Sequence, residues 1–510
     1  MTLTTLPLLL LLAAPQEAPA RAQDKRPPAE APREAKESDK NTPDDQPVVT
    51  SHELKLAAGR VLKYTVTTGT MPIRNAQGEV EAHIFFMAYT ADRPGGPGKR
   101  PLMFSFNGGP GSSSVWLHLG ALGPKRVKMR DDGMMPSPPY ELVDNENTWL
   151  DATDLVFIDP VGTGYSRPAK PELGKKFWGL QGDLESVAEF IRLYLTRYER
   201  WASPLFVVGE SYGTTRAAGL SGLLVERHGV AFNGVILVSS ILNMQTARFT
   251  KGNDTPYPLF LPTYTATAWY HKKLPPDLGS DLKTALAEAE AFAAGEYTLA
   301  LAKGDRMSPQ EKRSAVEKLA RLTGLSATFV ERSNLRITQP AFCKELLRSE
   351  RRTAGRLDSR FKGIDESAAD EAPDFDPSMA AIRPPYTAAF NDYVRRALGY
   401  KSDQHYYILG GGFQGWEYPQ GQFPDTSEAL RSAFSKNPAM RVFVASGHYD
   451  LATPYYGTEY TLAHMGLDPI QRERVEVSYY EAGHMMYIAV EELGRLKSDV
   501  SAFVTKALQP

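Results

Sequence analysis

A serine between two glycines is the residue of this sequence best placed for nucleophilic chemistry. Ser211 lies in the segment Gly209–Gly213 (GESYG), which follows the apolar run Leu205–Val208 and precedes a stretch with helical patterning. Where a strand turns into a helix, glycines allow the two elements to approach closely, and the serine hydroxyl is presented at the helix N-terminus. A motif this short is weak by itself, and a plain glycine-rich turn is the alternative. Its context favours Ser211 as the nucleophile of an acyl-transfer reaction.

Such a nucleophile needs a base and an acid that orients the base. Of the nine histidines, His484 follows the last strand-like run, in the segment EAGHMMY. Asp450 lies just beyond another buried-strand pattern, in VFVASGHYDLATP. His448 is a competing base, and capping a helix is an alternative role for Asp450; however, two residues on one loop are hard to align as base and orienter. We therefore predict a triad of Ser211, His484 and Asp450.

A glycine-rich segment upstream could stabilise the oxyanion of this reaction. The segment FNGGPGSSS, Phe106–Ser114, follows a strand-like run, and its glycines would leave backbone amides uncovered. The expected donors are the amides of Gly109 and Tyr212, the second of which directly follows the nucleophile. A structural turn is the alternative interpretation.

The elements that must hold these residues have the pattern of an α/β protein with a mostly parallel sheet. Amphipathic segments at Gln181–Thr196 and Thr214–Arg227 suit crossover helices. Upstream of them, two alternating segments joined by the turn NAQG predict a β-hairpin. Four short apolar runs suit strands buried on both faces. These runs are PLMFSFN, DLVFIDP, PLFVVGE and GVILVSS.

This alternation of strands and helices stops at about residue 242 and resumes after residue 401. One helical pattern between these points begins at Ser308 with a capping box and a proline at the first helical position. We predict an all-helical insertion over residues 242–401, which divides a sheet domain into parts 51–241 and 402–510. The runs MRVFVASG and RVEVSYYEAG are expected to complete the sheet.

The N-terminal residues have the composition of an export signal followed by a tether. Residues 1–22 contain an apolar run that is too short to span a bilayer, although no Lys or Arg precedes it. A disordered apolar tail or a misassigned start is the alternative. Residues 23–50 are rich in proline and charged residues and predict a disordered linker. We expect an exported protein, periplasmic or extracellular, without stable membrane insertion.

Composition excludes partners that are recognised by bulk charge. The 510 residues include 58 Lys and Arg and 60 Asp and Glu, a formal net charge of -2, and 42% are hydrophobic. The chain therefore has material for a core but lacks the electrostatic footprint of a nucleic-acid or membrane-surface binder. Cys343 is the only cysteine, so no disulfide forms within the chain. We expect no nucleic-acid partner, no cofactor and no metal ion, and leave the oligomeric state open.

Five segments together resemble the serine carboxypeptidase family, α/β hydrolases that remove single residues from peptide C-termini. The resemblance covers about residues 60–245 and 400–510. It implies an α/β hydrolase fold with a helical lid over the site, the triad and oxyanion donors named above, and peptide substrates with a free C-terminus. The five segments are NGGPGSSS, NTWLDATDLVFIDPVGTGYS, GESYGT, SGHYDLATP and AGHMMY.

The resemblance further implies that Asn107, Gly108 and Glu210 bind the terminal carboxylate of the substrate. An ionised glutamate would repel a carboxylate, whereas a protonated one can donate a hydrogen bond to it. A neighbouring negative charge raises the pKa of a glutamate, so binding is expected to improve in acid.

Three positions depart from the family pattern. Ser105 stands where members often have tryptophan, and Ser112 where they have cysteine. Ala121 stands where a glutamate assists carboxylate binding in well-known members. These departures leave the fold and the triad in place but call strict exopeptidase specificity into question.

Two other functions fit the same motifs less well. An esterase or acyltransferase could use the same machinery, because a fold does not fix a substrate; Asn107 and Glu210 favour a substrate with a free carboxylate. A non-enzymatic binding protein could have kept the fold, but every triad and oxyanion position holds a competent residue.

Overall fold

The structure is a computed structural model, which describes residues 46–56, 59–92, 99–418 and 420–509. The predicted signal, residues 1–22, and most of the predicted linker lie outside the described residues. A strand begins at Val48, within the segment predicted as the linker.

The described residues form a sheet of ten strands and two small sheets of two strands each. The strands, in chain order, are β1 Val48–Lys55, β2 Val61–Arg74, β3 Val80–Ala91, β4 Leu102–Phe106, β5 Lys125–Val127, β6 Leu142–Asp144, β7 Asp154–Ile158, β8 Arg167–Pro168, β9 Leu205–Ser211, β10 Gly234–Ser240, β11 Arg352–Ala354, β12 Lys362–Ile364, β13 Arg441–Gly447 and β14 Val475–Tyr480. In the large sheet the order is β1-β2-β3-β7-β4-β9-β10-β13-β14, with β8 paired to β3.

The central strands are those that the apolar runs predicted. β7, β4, β9, β10, β13 and β14 pair in parallel, and β4, β7 and β10 are buried along their whole length. The predicted hairpin is β2 and β3, which pair antiparallel around the turn Asn75–Gly78. In that turn the side chain of Asn75 accepts from the amides of Gln77 and Glu79. The predicted α/β architecture with a mostly parallel sheet is therefore confirmed.

Helices cover both faces of this sheet. Alternate residues of a central strand enter different cores: Phe206 and Val208 of β9 pack in one, and Val207 packs in the other. None of the described helices combines the length and apolar content needed to cross a bilayer. The helices are α1 Val115–Leu117, α2 Leu180–Arg197, α3 Tyr212–Leu223, α4 Pro256–Tyr270, α5 Pro276–Gly279, α6 Leu282–Phe292, α7 Thr298–Lys303, α8 Pro309–Thr323, α9 Ala327–Arg332, α10 Gln339–Glu345, α11 Pro377–Arg396, α12 Ser427–Lys436, α13 Tyr455–His464, α14 Pro469–Arg472 and α15 Val490–Ala507.

Residues 242–401 are mostly helical but differ from the expected all-helical insertion in two ways. They contain the small sheet of β11 and β12. Their last helix, α11, packs Tyr386 and Phe390 into a core of the large sheet, while the other helices share a separate core around Tyr264 and Phe342. The capping box predicted at Ser308 is present at the start of α8.

Candidate active site

The nucleophile candidate occupies a strained turn between a strand and a helix. Ser211 ends β9 and precedes α3, with φ 60° and ψ -130°. Such a positive φ is rare for a residue other than glycine and is found where surrounding structure enforces it, often at active sites. A Cβ added at Gly209 would lie 2.0 Å from the carbonyl oxygen of Gly213, so only glycine permits this closeness. The sharp turn predicted from the motif is therefore present.

The structure brings Asp450 and His484 into direct contact. His484 Nδ1 lies 2.7 Å from Asp450 Oδ2. The carboxylate of Asp450 is fully buried and accepts the amides of Ala452 and Thr453 on its other oxygen, at 2.8 and 3.0 Å. The hydroxyl of Thr453 also donates to Oδ2, at 2.7 Å. These bonds fix the carboxylate so that it faces the imidazole.

The competing histidine is excluded by its position. His448 stacks on Tyr479, with ring centroids 5.6 Å apart, and contacts the edge of Tyr455. Burial, together with the charge of Arg495, lowers the pKa of His448 to about 4. It makes no hydrogen bond to Asp450 among the described residues, so His484 is the base candidate that the acid can orient.

The loops of the acid and the base dock at the end of β10, the neighbour of β9 in the sheet. Ser239 of β10 donates its hydroxyl to the carbonyl of His484 at 2.6 Å. Its own carbonyl oxygen lies 3.0 Å from the hydroxyl oxygen of Thr453. No hydrogen bond joins the hydroxyl of Ser211 to His484 within the described residues; such bonds often tighten only when substrate is bound.

The environment of His484 favours its protonated form. Burial alone lowers the pKa of His484, but the charge and hydrogen bond of Asp450 and the nearby Glu210 outweigh it, so that the pKa is raised above 6.5. A raised pKa helps an imidazole to take a proton from a hydroxyl and to hold it until a leaving group needs it.

The glycine-rich segment lies directly against the turn that carries the nucleophile. A Cβ added at Gly108 would lie 2.4 Å from the amide nitrogen of Tyr212. Tyr212 is the first residue of α3, where amides have no partner within the helix, and the side chain of Ser211 caps none of them. Gly109 follows with φ 101°. The two predicted oxyanion donors thus belong to neighbouring segments.

A buried hydrogen-bonded cluster lies beside the nucleophile. Asn107 Nδ2 donates to Glu210 Oε1 at 2.8 Å, and the hydroxyl of Tyr487 donates to Glu210 Oε2. The amide of Leu117 holds the other end of the Asn107 side chain, at 3.0 Å. Burial raises the pKa of Glu210 to about 7, against the opposing effects of His484 and of the hydrogen bonds from Tyr487 and Asn107. Glu210 is therefore a carboxyl group that exchanges its proton near neutrality.

The sequence predicts no role for Tyr487, although this residue ends the segment AGHMMY. Its position three residues after His484 is the one sequence feature that places it near the site, and no feature of the neighbouring sequence connects it to Glu210.

A second feature that sequence reasoning missed lies beneath Asn107. The guanidinium of Arg216 donates to the carbonyl of Asn107 and to Asp183, both at 2.8 Å. Tyr212 donates its hydroxyl to the same carboxylate at 3.1 Å. Both charged side chains are buried, so the pair couples α2 and α3 to the segment that contains Gly108. The sequence feature that could have indicated this buried pair is an arginine within a segment of mostly small residues, TTRAAGL.

The positions that depart from the family pattern are all buried. Ala121 packs in a core of the large sheet, and its carbonyl accepts from the side chain of Asn145 at 2.8 Å. Ser112 accepts the indole N–H of Trp116 at 2.7 Å. Ser105 lies within β4. No three His, Cys, Asp or Glu side chains of the described residues cluster in a way that could hold a metal ion.

Comparison with known proteins gives matches over most of the chain. Residues 62–497 match the model of a family described as serine carboxypeptidase. The pheromone-processing carboxypeptidase KEX1 of Saccharomyces cerevisiae is 34% identical over 158 residues, which cover 28% of this chain and 20% of that protein. Serine carboxypeptidase-like 9 of Arabidopsis thaliana is 26% identical over 208 residues, 39% of this chain and 44% of that protein. The matched regions thus span less than half of either relative.

A solved structure matches over a larger share. The crystal structure of a prohormone-processing carboxypeptidase from S. cerevisiae superimposes with a TM-score of 0.54 at 15% identity, covering 86% of this chain and 91% of that one. This likeness shows the fold that the two chains share.

Proposed function

This chain belongs to the serine carboxypeptidase family, and from that premise we propose that it releases C-terminal residues from peptides through an acyl-enzyme on Ser211. The observation that carries the proposal is the cluster of Asn107, Glu210 and Tyr487 beside the nucleophile. A carboxyl group that is protonated near neutrality can donate a hydrogen bond to a substrate carboxylate. A neutral ester has no carboxylate to accept this bond. The cluster therefore supports a free C-terminus as the group that is recognised.

In the proposed reaction, His484 takes the proton of Ser211 while the hydroxyl oxygen attacks the last peptide carbonyl. Asp450 holds the imidazole and stabilises its charged form. The amides of Gly109 and Tyr212 receive the oxyanion. The protonated imidazole then gives its proton to the leaving amine, the terminal amino acid departs, and water hydrolyses the acyl-enzyme by the same route.

The substrate carboxylate is placed by its own set of donors. We assign this role to the side chain of Asn107, the amide of Gly108 and the proton of Glu210. Because these donors belong to segments that adjoin Ser211, we expect them to set the scissile bond one residue from the chain end, so that single residues are removed.

Digestion of a defined peptide library, followed by mass spectrometry, tests the proposal. We expect products shortened stepwise from the C-terminus, and no products from the same peptides with an amidated C-terminus. Cleavage of simple esters while peptides remain intact would instead assign the chain to the esterases or acyltransferases.

We predict that kcat/KM for peptides falls as pH rises through about 7, where Glu210 loses its proton. The ionised carboxylate can no longer donate and repels the substrate. In Glu210→Gln this alkaline limb is expected to disappear, because the glutamine amide donates at every pH. The measurement is kcat/KM from about pH 5 to pH 9.

An ester substrate without a carboxylate is the control for this titration. If the parent hydrolyses this ester, we expect its kcat/KM for the ester not to fall as pH rises through about 7. A peptide profile that keeps the same limb in Glu210→Gln would remove Glu210 from carboxylate recognition.

Two further parts of the proposal concern the rest of the chain. We propose that residues 1–22 direct export, which puts the activity in the periplasm or outside the cell. We also propose that residues 242–401 form a lid whose side chains select substrates.

A further inference from the structure

We propose that Asp358 is a positioning residue, which holds the loop of His484 in register with the loop of Asp450. This inference rests on the proposed function, since it concerns the base of the same reaction. Asp358 belongs to the segment between β11 and β12, which we call the clamp segment, residues 355–361. The segment lies within residues 242–401, and its Leu357 and Phe361 pack in a core of the large sheet.

The clamp segment bonds to three residues of the loop that carries the base. Asp358 Oδ2 accepts the amide of Gly483 at 3.1 Å. The carbonyl of Leu357 accepts the amide of His484 at 2.6 Å. Arg360 donates to the carbonyl of Glu481 at 2.9 Å. The backbone next to the imidazole is therefore hydrogen-bonded to the clamp segment.

The same segment also bonds to the loop of the acid, on both sides of Asp450. The carbonyl of Arg356 accepts the amide of Leu451 at 3.1 Å. The amide of Ser359 donates to the carbonyl of Tyr449 at 3.0 Å. One short segment thus bonds to both of the loops whose side chains meet at 2.7 Å, in addition to the direct bond from the amide of Tyr449 to the carbonyl of Ala482 at 3.0 Å.

Asp358 is the part of the clamp segment that acts through its side chain. It is buried and paired with Arg360, whose Nη2 lies 2.6 Å from Oδ2 and whose Nε lies 3.0 Å from Oδ1. A buried amide that loses its acceptor carries the full cost of desolvation. Removing the carboxylate therefore releases the Gly483 amide and, with it, the backbone next to His484.

Two substitutions separate the hydrogen bond from the ion pair. Asp358→Ala removes both, whereas Asp358→Asn keeps an oxygen that can accept from Gly483 but loses the charge and one of the two oxygens that accept from Arg360. The matched control is Asp365→Asn, which breaks a buried ion pair of 2.7 Å with Lys344 that also lies within residues 242–401. Among the described residues, Asp365 makes no hydrogen bond to either loop. All three variants are expected to lose thermal stability.

The readout is the rate at which a serine-directed phosphonate labels Ser211, which does not depend on peptide specificity. We expect Asp358→Ala to label at least about tenfold more slowly than the parent, since small misplacements at reacting groups have effects of this size. We expect Asp358→Asn to label at most of the parental rate, and Asp365→Asn to label at the parental rate. Parental rates in both Asp358 variants, or equal losses in all three, would refute the positioning role.

The pH dependence of labelling gives a second readout. The charged groups that act on His484 are Asp450, Glu210 and Arg356, and Asp450 is the main group that raises its pKa. If the two loops separate, that contribution falls, so the acid limb is expected to move to lower pH in Asp358→Ala and to stay in Asp365→Asn. Should Asp358→Ala not fold, a slower rate in Asp358→Asn than in Asp365→Asn supports the proposal, and equal rates overturn it.

Failure of this inference and failure of the proposed function are distinguishable. A parent that is labelled but does not shorten peptides ends the carboxypeptidase proposal and leaves the clamp testable. If the parent shortens peptides but the Asp358 variants label at the parental rate, the carboxypeptidase proposal stands and the positioning role of Asp358 is refuted.

Discussion

Replacement of Ser211 by alanine is expected to abolish labelling by a serine-directed phosphonate and to lower kcat by about a millionfold. No other group can replace the hydroxyl as the atom that forms the acyl-enzyme, and the strained turn presents this side chain alone. The measurement is intact-mass analysis after exposure to the probe, together with peptide turnover. Because the substitution removes only the hydroxyl and keeps the backbone, the fold is expected to be unchanged.

Ser240→Ala is the matched control for that experiment. Ser240 pairs with Ser211 across β9 and β10, and its buried hydroxyl has no hydrogen-bond partner among the described residues. We expect it to label like the parent. If Ser211→Ala labelled as well as the parent, the chain would have another nucleophile; if the parent itself did not label, a binding protein with this fold would be the better description.

Asp450→Asn is expected to lower kcat by about ten-thousandfold with a smaller change in KM. The asparagine has the same shape and can still accept from the amides of Ala452 and Thr453. However, it cannot hold His484 in the tautomer that receives the proton of Ser211, and it cannot stabilise the imidazolium. Steady-state kinetics on one peptide, with thermal unfolding as a check on the fold, measures the effect.

The control for Asp450 tests the alternative role that the sequence left open. Asp468 caps α14 through its side chain and lies on the surface, so Asp468→Asn removes a charge from a capping aspartate without touching the site. We expect parental kcat in this variant. A loss in Asp450→Asn that is no larger than in Asp468→Asn would mean that another acid orients the imidazole.

The central strands of the large sheet were predictable because they are short apolar runs, whereas β1 begins in the segment predicted as a linker and the two residues of β8 carry no pattern. The two strands of the insertion were not, since β11 and β12 have three residues each and no periodicity can develop over that length. The position of α11 was missed for a different reason. An apolar helix face shows that a helix packs, but not which of two cores receives it.

In the candidate site, too, some contacts could be predicted from the sequence and others could not. The contact of Asp450 with His484 could be predicted, because both residues follow strands of one sheet and chain order restricts the choice. The partners of these residues could not. Tyr487 reaches Glu210, and Asp358 reaches Gly483, across 277 and 125 positions of the chain, and only the folded structure brings such pairs together.

The order of the strands has a consequence for when the proposed peptidase becomes active during its own synthesis. Ser211 is made before the insertion, whereas β13 and β14, which lead to Asp450 and His484, are the last strands of the sheet. At about 5 to 20 residues per second, the ribosome needs roughly 15 to 55 seconds to reach His484 after Ser211. During that interval the nascent chain has a nucleophile but no base, so it is not able to digest neighbouring polypeptides before its own synthesis has passed the final strand.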